Sequence, residues 1–551
     1  MKKIVCICVA AFFLSEGITL AQGSMDAYKI SQYDLNGTAR YLGMGGAFGA
    51  LGGDISAMGT NPAGLGIYRS SEVVTTLSLS SINSKTDWMG TNMSDKNTKF
   101  NFDNIAYVGY FPTGNDEGLV SWNVGFAYNR VKSFNRNYKM QHGPGGYSIS
   151  DYIAAVTNLG DATGDKLWST NSYNPYLSQN WLSVLGYNGG LIDSNNRQSK
   201  NDFFSTLGYF DQNNKWQPLE IQSADMVVNE KGAIDKYDLS FATNVSNVFF
   251  IGATLSITDL DYKMSCYYDE DFGFFDDKAP YSDHLYWDNY SSVKGTGYSF
   301  NLGVIARPTD FLRLGVAYNS PTWYKITNYY SAEAGVYVYD YYQDGQNPLD
   351  PKNNNLDRKA STPTDFYTNY RVRTNDRWIF SAAAIIGTRA LVSVDYELTN
   401  YKSMRLYDND GRETIDNESI KSDFGVSGML KAGAEFKVTP QFAVRIGGAW
   451  QSSPAKNYLR YGETDEIAEV FTPGTRTAYS VDYHTNYYTV GLGYRFTPHF
   501  YADLACVYRM QKENVYPFSN VINNSEALAL SIPSTLKTNT TRVALTLGYK
   551  F

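Results

Sequence analysis

Hydrophobic and polar residues alternate strictly over the ten positions 542–551. Successive side chains of a β-strand point to opposite faces, so the alternation predicts a strand with one apolar face and one polar face. A strand that separates lipid from a water-filled interior has this arrangement. The apolar positions are Val543, Leu545, Leu547, Tyr549 and Phe551, and the positions between them are Ala544, Thr546, Gly548 and Lys550.

The same period of two recurs in roughly fourteen runs along the chain. In the third run, for example, Trp122, Val124 and Phe126 alternate with Asn123 and Gly125. Such runs are typical of an all-β fold, here a transmembrane antiparallel β-barrel of about 14 strands. The runs lie near residues 71–81, 104–111, 118–133, 236–244, 248–264, 293–307, 311–325, 376–387, 390–403, 429–438, 441–452, 485–496, 499–511 and 540–551.

The links between the runs alternate in length. Tight links such as 245–247 and 439–440 follow even-numbered runs, whereas long links such as 326–375 follow odd-numbered runs. Barrels of the bacterial outer membrane have short turns on the periplasmic side and long loops on the extracellular side. The pattern therefore predicts an even number of strands, with both ends of the barrel in the periplasm. A soluble β-sandwich has no need to keep its long loops at one end.

Two segments lack the alternation. The first, residues 22–70, precedes the predicted barrel of residues 71–551 and is rich in glycine and alanine, which predicts an N-terminal plug, or hatch. The second, at about 134–235, predicts a long extracellular loop with a short helical segment at 150–159. Its tryptophans, Trp168, Trp181 and Trp216, argue against disorder.

Residues 1–21 predict a secretory signal peptide. Lys2 and Lys3 precede an apolar run at 4–14, and the sequence at 19–21 provides a cleavage site after Ala21. The apolar run is shorter than the ~20 residues that a membrane-spanning helix needs. We therefore expect a mature chain that starts at Gln22 and is inserted in the bacterial outer membrane.

Composition supports a barrel and excludes one class of partner. The 46 tyrosines and the aromatic content of 15% suit rings of aromatic side chains at two membrane interfaces. A net charge of −8 gives no basic surface for nucleic acid. Outside the predicted leader only Cys266 and Cys506 remain, and their distance along the chain predicts no disulfide framework.

The predicted hatch contains a glycine-rich stretch that is not a nucleotide-binding loop. Its glycines do not match the G-x-G-x-x-G spacing, and no βαβ pattern surrounds them. Glycine and alanine allow the backbone to approach a barrel wall closely, and the Asn61-Pro62 pair predicts a fixed turn.

Three stretches of this region resemble the hatch of the FadL-type outer-membrane transport family. They are Ala-Arg-Tyr-Leu-Gly-Met-Gly-Gly-Ala-Phe at 39–48, Asp-Ile-Ser-Ala at 54–57 and Asn-Pro-Ala-Gly-Leu at 61–65. The family carries long-chain fatty acids and other hydrophobic compounds, including toluene. Glycines at 52 and 53, where more acidic character is usual, and the very long third connection depart from the family's pattern.

The resemblance implies passive uptake in three steps: capture of the ligand by extracellular loops, movement of the hatch, and lateral release through a gap near a distorted third strand. It implies that Asn61, Pro62, Ala63 and Gly64 act in hatch gating. Gly125 is a candidate for the wall distortion because glycine favours bulges, and the alternative is an ordinary small inward residue. Asn61 could likewise be a latch or a purely structural turn residue.

Charged residues are concentrated at the positions of the later strands that are predicted to face the barrel interior. Ion pairs between neighbouring strands could hold the hatch in place. Alternatively, Arg445 or Arg495 could bind a ligand carboxylate through two hydrogen bonds. The inward set is Asp395, Glu397, Lys431, Glu435, Lys437, Arg445, Arg495, Asp503, Arg509, Arg542 and Lys550.

The sequence predicts a non-enzyme without cofactor or metal. The four histidines are scattered, and no G-x-S-x-G motif is present. The expected partners are outer-membrane lipid and lipopolysaccharide, a hydrophobic small molecule, and the barrel-assembly machinery, since a closing aromatic strand resembles its recognition signal. Two alternatives remain: a surface-binding or adhesion barrel, including a receptor for haem-like ligands, and an outer-membrane hydrolase.

Overall fold

Most of the chain forms one antiparallel sheet that closes on itself as a barrel of fourteen strands. This computed structural model describes residues 23–170, 172–210, 216–274, 279–342, 347, 350, 352–364, 366–461, 468–470, 472–523 and 526–551. The predicted signal peptide lies outside the described residues. The barrel strands are β1 Glu72–Trp88, β2 Thr91–Pro112, β3 Leu119–Ser133, β4 Ser223–Val245, β5 Phe249–Gly273, β6 Asp283–Ala306, β7 in two segments Leu312–Asn319 and Trp323–Val338, β8 in two segments Tyr367–Arg373 and Arg377–Ile386, β9 Ala390–Asn400, β10 Val426–Lys437, β11 Phe442–Ser452, β12 Tyr479–Arg495, β13 Phe500–Tyr516 and β14 Ser534–Lys550.

The barrel closes where β1 pairs with β14. The register runs from Glu72 opposite Lys550 to Asp87 opposite Thr535 without interruption. Strand β7 is broken between its two segments by Pro321, which has no N–H to donate to a neighbouring strand. The connections at one end are short, for example 246–248 and 438–441, and those at the other end are long, as the alternating link lengths predict.

The strands extend further toward the long-loop end than the alternation indicates. Strand β1 continues to Trp88 instead of ending at 81, and β4 begins at Ser223 instead of 236. The connection predicted at 134–235 is therefore shorter than expected, at 134–222. The pattern fades because these extensions leave the lipid-facing zone: residues 91–100 of β2, for instance, are half-buried or exposed on both faces.

That connection also contains more regular structure than the helix predicted at 150–159. A strand, Arg136–His142, pairs with β4, and the predicted helix is present at Ile149–Leu159.

Short helices and strands also occur elsewhere in the described part of the chain. The remaining helices outside the hatch are Gly164–Leu167, Pro175–Leu177, Trp181–Asn188, Tyr401–Ser403, Asp416–Asp423 and Asn457–Tyr461, and the remaining short strands are Ile192–Ser194, Phe203–Ser205, Gly208–Phe210, Trp216–Pro218, Leu356–Ser361, Arg405–Tyr407, Val521–Asn523 and Glu526–Ala529.

The outer surface of the barrel carries a continuous band of exposed apolar side chains, to which every strand contributes. Inward residues at the same level are small or polar, for example Thr76, Thr489 and Thr546, and they are buried. This inside-out distribution is the one a transmembrane barrel needs. The band includes Val73, Ile105, Phe126, Leu239, Leu255, Leu302, Val316, Phe380, Val394, Leu430, Ile446, Val490, Leu504 and Leu545.

The hatch fills the barrel next to this band. Its elements are the helices Ser24–Ser31, Ala39–Gly43 and Ala57–Thr60 and the 3-10 helix Pro62–Ile67, and most of its side chains are buried. In the described part of the chain, no helix is both long enough and apolar enough to cross a membrane.

Substituting Leu545 with arginine tests the apolar band. Leu545 lies on the outer face of β14, and an arginine at the middle of the lipid-facing zone should lower the free energy of unfolding by about 2–4 kcal/mol. Urea unfolding in lipid vesicles measures the change. The control Leu177→Arg, at an exposed position of the long-loop end, should stay within about 0.5 kcal/mol of the parent protein. Equal effects of the two substitutions would contradict a lipid-facing role for Leu545.

Candidate functional site

The glycine-rich part of the hatch packs against glycines of the barrel wall. A methyl group on Gly433 would overlap the Met44 carbonyl, and one on Gly447 would overlap the Gly45 backbone. Gly45 also has a φ of 63°, which favours glycine. The sequence analysis identified the glycines of the hatch but not the wall glycines that they contact. Several strands carry a glycine at an inward-facing position, and this pattern could have indicated those contacts. The wall glycines in contact with the hatch include Gly125, Gly252, Gly303, Gly315, Gly433, Gly447, Gly448 and Gly491.

Inward polar side chains of the wall bind the hatch backbone. The Asp395 carboxylate accepts hydrogen bonds from the N–H groups of Phe48 (3.0 Å) and Gly49 (2.8 Å). The Thr546 hydroxyl accepts one from Ala39 at 2.7 Å. The Phe48 N–H also donates to the Gly46 carbonyl at 3.1 Å, whereas the wall bonds of Gly49 and Ala39 satisfy N–H groups for which the described hatch provides no backbone partner, as a buried site requires.

A buried ion network joins the hatch to three wall strands. Arg40 of the hatch contacts Glu435 at 3.0 Å, and Arg445 contacts the same carboxylate at 2.6 Å. Arg445 also contacts Asp503 at 2.6 Å. Removing one member of such a network would leave a buried charge unpaired, which is strongly destabilising.

The two arginines proposed as ligand anchors therefore lie in different environments. Arg445 is 8% exposed and is engaged with two carboxylates at the hatch. Arg495 is exposed at the short-turn end of β12. Neither side chain is among the described residues that line the cavities of the barrel interior. The structure does not bring the two together.

The four predicted gating residues occupy one buried turn. The Asn61 side-chain oxygen accepts a hydrogen bond from the N–H of Ala63 at 3.2 Å, and Pro62 begins the 3-10 helix. The Asn61 amide donates to the carbonyls of Gly49 (2.6 Å) and Val304 (3.4 Å). Asn61 thus connects its own turn to another hatch loop and to strand β6. Gly64 extends this packing, since its carbonyl accepts a hydrogen bond from Gly53 at 3.0 Å.

The third strand is distorted at Val120, near the short-turn end, and at Val131, but not at Gly125. Gly125 sits in regular register between Val108 and Ser240, and a methyl group there would overlap the Met58 side chain of the hatch. Gly125 therefore makes room for the hatch. The register of β3 against β4 shifts between Arg130 and Lys132, so Val131 forms a bulge.

The bulge anchors the hatch segment 32–37. The Val131 carbonyl accepts a hydrogen bond from the N–H of Asp34 at 3.0 Å. The carbonyl of Arg130 accepts one from the Asn36 amide. An irregular strand exposes carbonyl groups that a regular ladder would use, and here the hatch uses them.

Hydrogen-bonded pairing between β2 and β3 stops above this level, leaving a gap in the ladder, and the strand Arg136–His142 packs against β1 and β2 there, with the Thr86 hydroxyl donating to the Lys139 carbonyl at 2.6 Å. Pairing between the two strands ends at Asn104 opposite Asn129, whereas β2 continues to Thr91 paired only with β1. Among the described residues, no strand pairs with the other edge of Thr91–Asp103. Phe100 and Phe102, beside the opening, are 63% and 39% exposed. The lower end of the gap therefore lies within the apolar band.

Among the cavities that the described residues enclose, two lie in the barrel interior on either side of the hatch segment 32–37. The first, of about 130 Å³, reaches the gap, since Lys99, Asn101 and Ser133 line it. The second, of about 170 Å³, lies against the hatch residues Ser56 and Thr60. Gln32 and Asp34 line both cavities.

The first cavity is strongly charged, and its charges are largely paired. Arg136 contacts Glu230 at 2.9 Å, Arg476 contacts Asp26 at 2.6 Å, and Arg509 contacts Asp34 at 3.2 Å. Asp26 and Asp34 belong to the hatch, so these pairs also fix its N-terminal part to the wall.

At the long-loop end the hatch helix Ser24–Ser31 packs against the helix Asp416–Asp423. Tyr28 stacks on Phe424 with ring centroids 4.9 Å apart, and Tyr28 donates a hydrogen bond of 2.6 Å to Asp482. Burial raises the pKa of the Asp416 carboxyl, at the start of the helix Asp416–Asp423, to about 7. The top of the hatch is therefore continuous with the packed loops above it.

Substituting Gly433 with alanine tests the fit between hatch and wall. The added methyl group overlaps the Met44 carbonyl, so the hatch should shift at a cost of about 1–3 kcal/mol. We expect increased ion conductance in planar bilayers and faster proteolysis of the hatch. The control Gly59→Ala adds the same group where no atom lies within 4 Å, and its conductance should match that of the parent protein. Unchanged conductance of both variants would contradict a tight plug.

The structure is similar to solved outer-membrane channels. No protein-family model and no curated protein matches the chain. A FadL homologue of Pseudomonas aeruginosa is 13% identical with a TM-score of 0.51, and the match covers 95% of this chain and 100% of that chain. The toluene transporters TbuX of Ralstonia pickettii (13% identity, TM-score 0.45) and TodX of P. putida (12%, 0.45) each match over 94% of this chain and 99% of theirs. The chain therefore has the fold of the FadL homologue, as the three hatch stretches predict.

Proposed function

We propose that this protein is a channel of the bacterial outer membrane that takes up hydrophobic compounds passively, long-chain fatty acids among them. The gap between β2 and β3 is the observation that carries the proposal. The gap lies between an interior cavity, which Lys99 and Asn101 line, and the apolar band of the outer surface. An opening at that height leads into lipid and not into the periplasm.

The energetics favour such a side exit. Each methylene group that leaves water gains about 0.8 kcal/mol, so a long acyl chain gains on the order of 10 kcal/mol in an apolar environment. A chain released through the gap keeps that gain because it enters the membrane. A chain released into the periplasm would lose it.

Hatch movement would connect capture at the loops to release at the gap. The segment 32–37 separates the two interior cavities and is bound to the bulge of β3. Displacing this short segment would open one cavity to the other while the glycine-rich part of the hatch stays in place. The outer-membrane location, and the contacts with lipopolysaccharide and the barrel-assembly machinery, are part of the same proposal.

An Asn61→Ala variant tests the gating role. The substitution removes the hydrogen bonds to Gly49 and Ala63, and two such bonds are worth about 1–3 kcal/mol together. We expect a folded barrel whose uptake of labelled fatty acid falls by about tenfold, since roughly 1.4 kcal/mol corresponds to that factor. Asn115→Ala, at an exposed position of the short β2–β3 turn, is the control. Uptake equal to that of the control would exclude a latch at Asn61.

Photolabelling tests the lateral exit. A fatty acid with a diazirine on its chain should label residues 91–103 and 131–136 during uptake, because they border the gap. A label is counted as specific only when an excess of unlabelled fatty acid suppresses it. This criterion excludes labelling by probe that is dissolved in the bulk lipid. Specific labels confined to the short turns, or spread equally over β8–β10 on another part of the wall, would contradict lateral release.

A further inference from the structure

Four cationic side chains form a basic patch on the outer face of the barrel, toward the long-loop end. They are Lys325 of β7, Arg371 and Arg373 of β8, and Arg405 of a short strand in the connection between β9 and β10. The residues that alternate with these four are buried in the barrel interior, so the cations face outward. The buried residues are Tyr324, Ile326, Tyr370, Val372 and Leu406.

The register of the strands brings these like charges together. Lys325 lies directly opposite Arg371, and Arg373 lies directly opposite Arg405. Arg371 and Arg373 are two positions apart and therefore share one face of β8. Like charges at directly opposite positions destabilise a sheet. An anion bound among the four would remove this repulsion.

The patch is not neutralised by the protein itself. In the described part of the chain, no carboxylate oxygen lies within 4.0 Å of any of the four cations. The arginines donate to backbone carbonyls instead, Arg371 to Asn409 at 3.2 Å and Arg373 to Ser403 at 3.4 Å. These bonds orient each guanidinium group and use only part of its five N–H donors. Positioned and charged donors therefore remain for a ligand.

Exposed aromatic side chains lie directly beside the patch, at the edge of the apolar band. Trp323 is opposite both Arg373 and Tyr298, and Trp378 is the next outward residue of β8 toward the short-turn end. These three aromatic residues are 45%, 59% and 44% exposed for Trp323, Tyr298 and Trp378. Tryptophan and tyrosine mark the boundary between hydrocarbon and head groups. The patch therefore lies at the height of the lipid head groups at the long-loop end.

This combination of groups selects a class of ligand. A planar guanidinium group can bind a phosphate through two parallel hydrogen bonds, and two arginines on one face can bind the same group. A soluble anion would use these donors but not the aromatic surface next to them. An amphiphile with a phosphate head group and acyl chains would use both.

We propose that the basic patch binds the phosphorylated head group of an outer-leaflet lipid, the lipid A part of lipopolysaccharide, with its acyl chains against Trp323 and Trp378. The inference rests on the outer-membrane location that belongs to the proposed function, and it assigns the lipid contact to particular residues. The patch lies on β7 and β8, away from the gap between β2 and β3. Binding of the lipid is therefore independent of the lateral exit.

Native mass spectrometry of the full-length protein in detergent tests the proposal, because it measures how much of each lipid is bound. The probes are lipid A with two phosphates, the same lipid A after removal of both phosphates, and inorganic pyrophosphate. We expect lipid A to bind about tenfold more tightly than its dephosphorylated form, since hydrogen bonds to a charged group are lost with the phosphates. Equal binding of the two lipids would overturn the proposal. So would pyrophosphate binding as tight as that of lipid A, which would indicate a site for soluble anions.

Two double variants locate the site. Arg371→Gln combined with Arg373→Gln should weaken lipid A binding about tenfold. Arg307→Gln combined with Arg389→Gln is the control, because it also removes two arginines but at the short-turn end, and it should bind lipid A like the parent protein. No loss in the first variant, or an equal loss in both, would overturn the proposal. Uptake of labelled fatty acid by the parent protein tests the channel in a separate assay, so a failure of either proposal is recognised by itself.

Discussion

Backbone hydrogen bonding in lipid is the constraint on which the rest of the structure depends. A hydrocarbon environment offers no partner for N–H and C=O groups, so a sheet that crosses it has to close on itself. The uninterrupted pairing of β1 with β14 provides this closure. Closure then inverts the usual distribution of side chains, with leucines and aromatics outside and threonines and ion pairs inside. The polar interior gives the hatch its binding partners, and the edge of β2 above Asn104, where pairing with β3 stops, is the part of the wall on which the proposed lateral exit depends.

The sequence predicts what depends on alternation and misses what depends on contact. Period-two runs located all fourteen strands because lipid and lumen impose opposite preferences on neighbouring residues. The alternation is absent from the strand extensions, such as residues 91–100, because both faces of these extensions contact water. Motif resemblance located the turn at Asn61, since its turn chemistry is local. The role of Gly125 could not be deduced from its own strand, because it depends on Met58 of the hatch. Arg495 occupies an inward-facing position of its strand, like the buried charged residues, but it lies beyond the hatch and is exposed. The alternation shows which face of the strand a residue is on, but it does not show how far along the barrel axis the residue lies.

The hatch is held by many modest contacts along its whole length. The glycine-rich part combines steric fit with a buried ion network and with the Asp395 carboxylate, so its release would break several contacts at once. The segment 32–37 is also bound through its side chains, since Asp34 contacts Arg509 at 3.2 Å and Tyr33 donates a hydrogen bond to Glu397. A net hydrogen bond is worth about 1 kcal/mol, and a buried charge left unpaired costs more. Movement of either part of the hatch therefore has to replace several contacts together.

The polarity of the interior is difficult to reconcile with a long apolar tunnel, and the position of the gap resolves the difficulty. Both cavities are lined largely by charged or hydrogen-bonding groups, so a hydrocarbon that crossed the whole barrel would displace water from many of them. The gap adjoins the first cavity, on the long-loop side of the glycine-rich hatch. An apolar tail could reach lipid there without passing the ion network at Arg445. Under the proposed function, the polar groups deeper in the barrel hold the hatch, and the apolar tail of the ligand stays near the membrane. A barrel with a water-filled interior is in this way compatible with the passage of an apolar molecule.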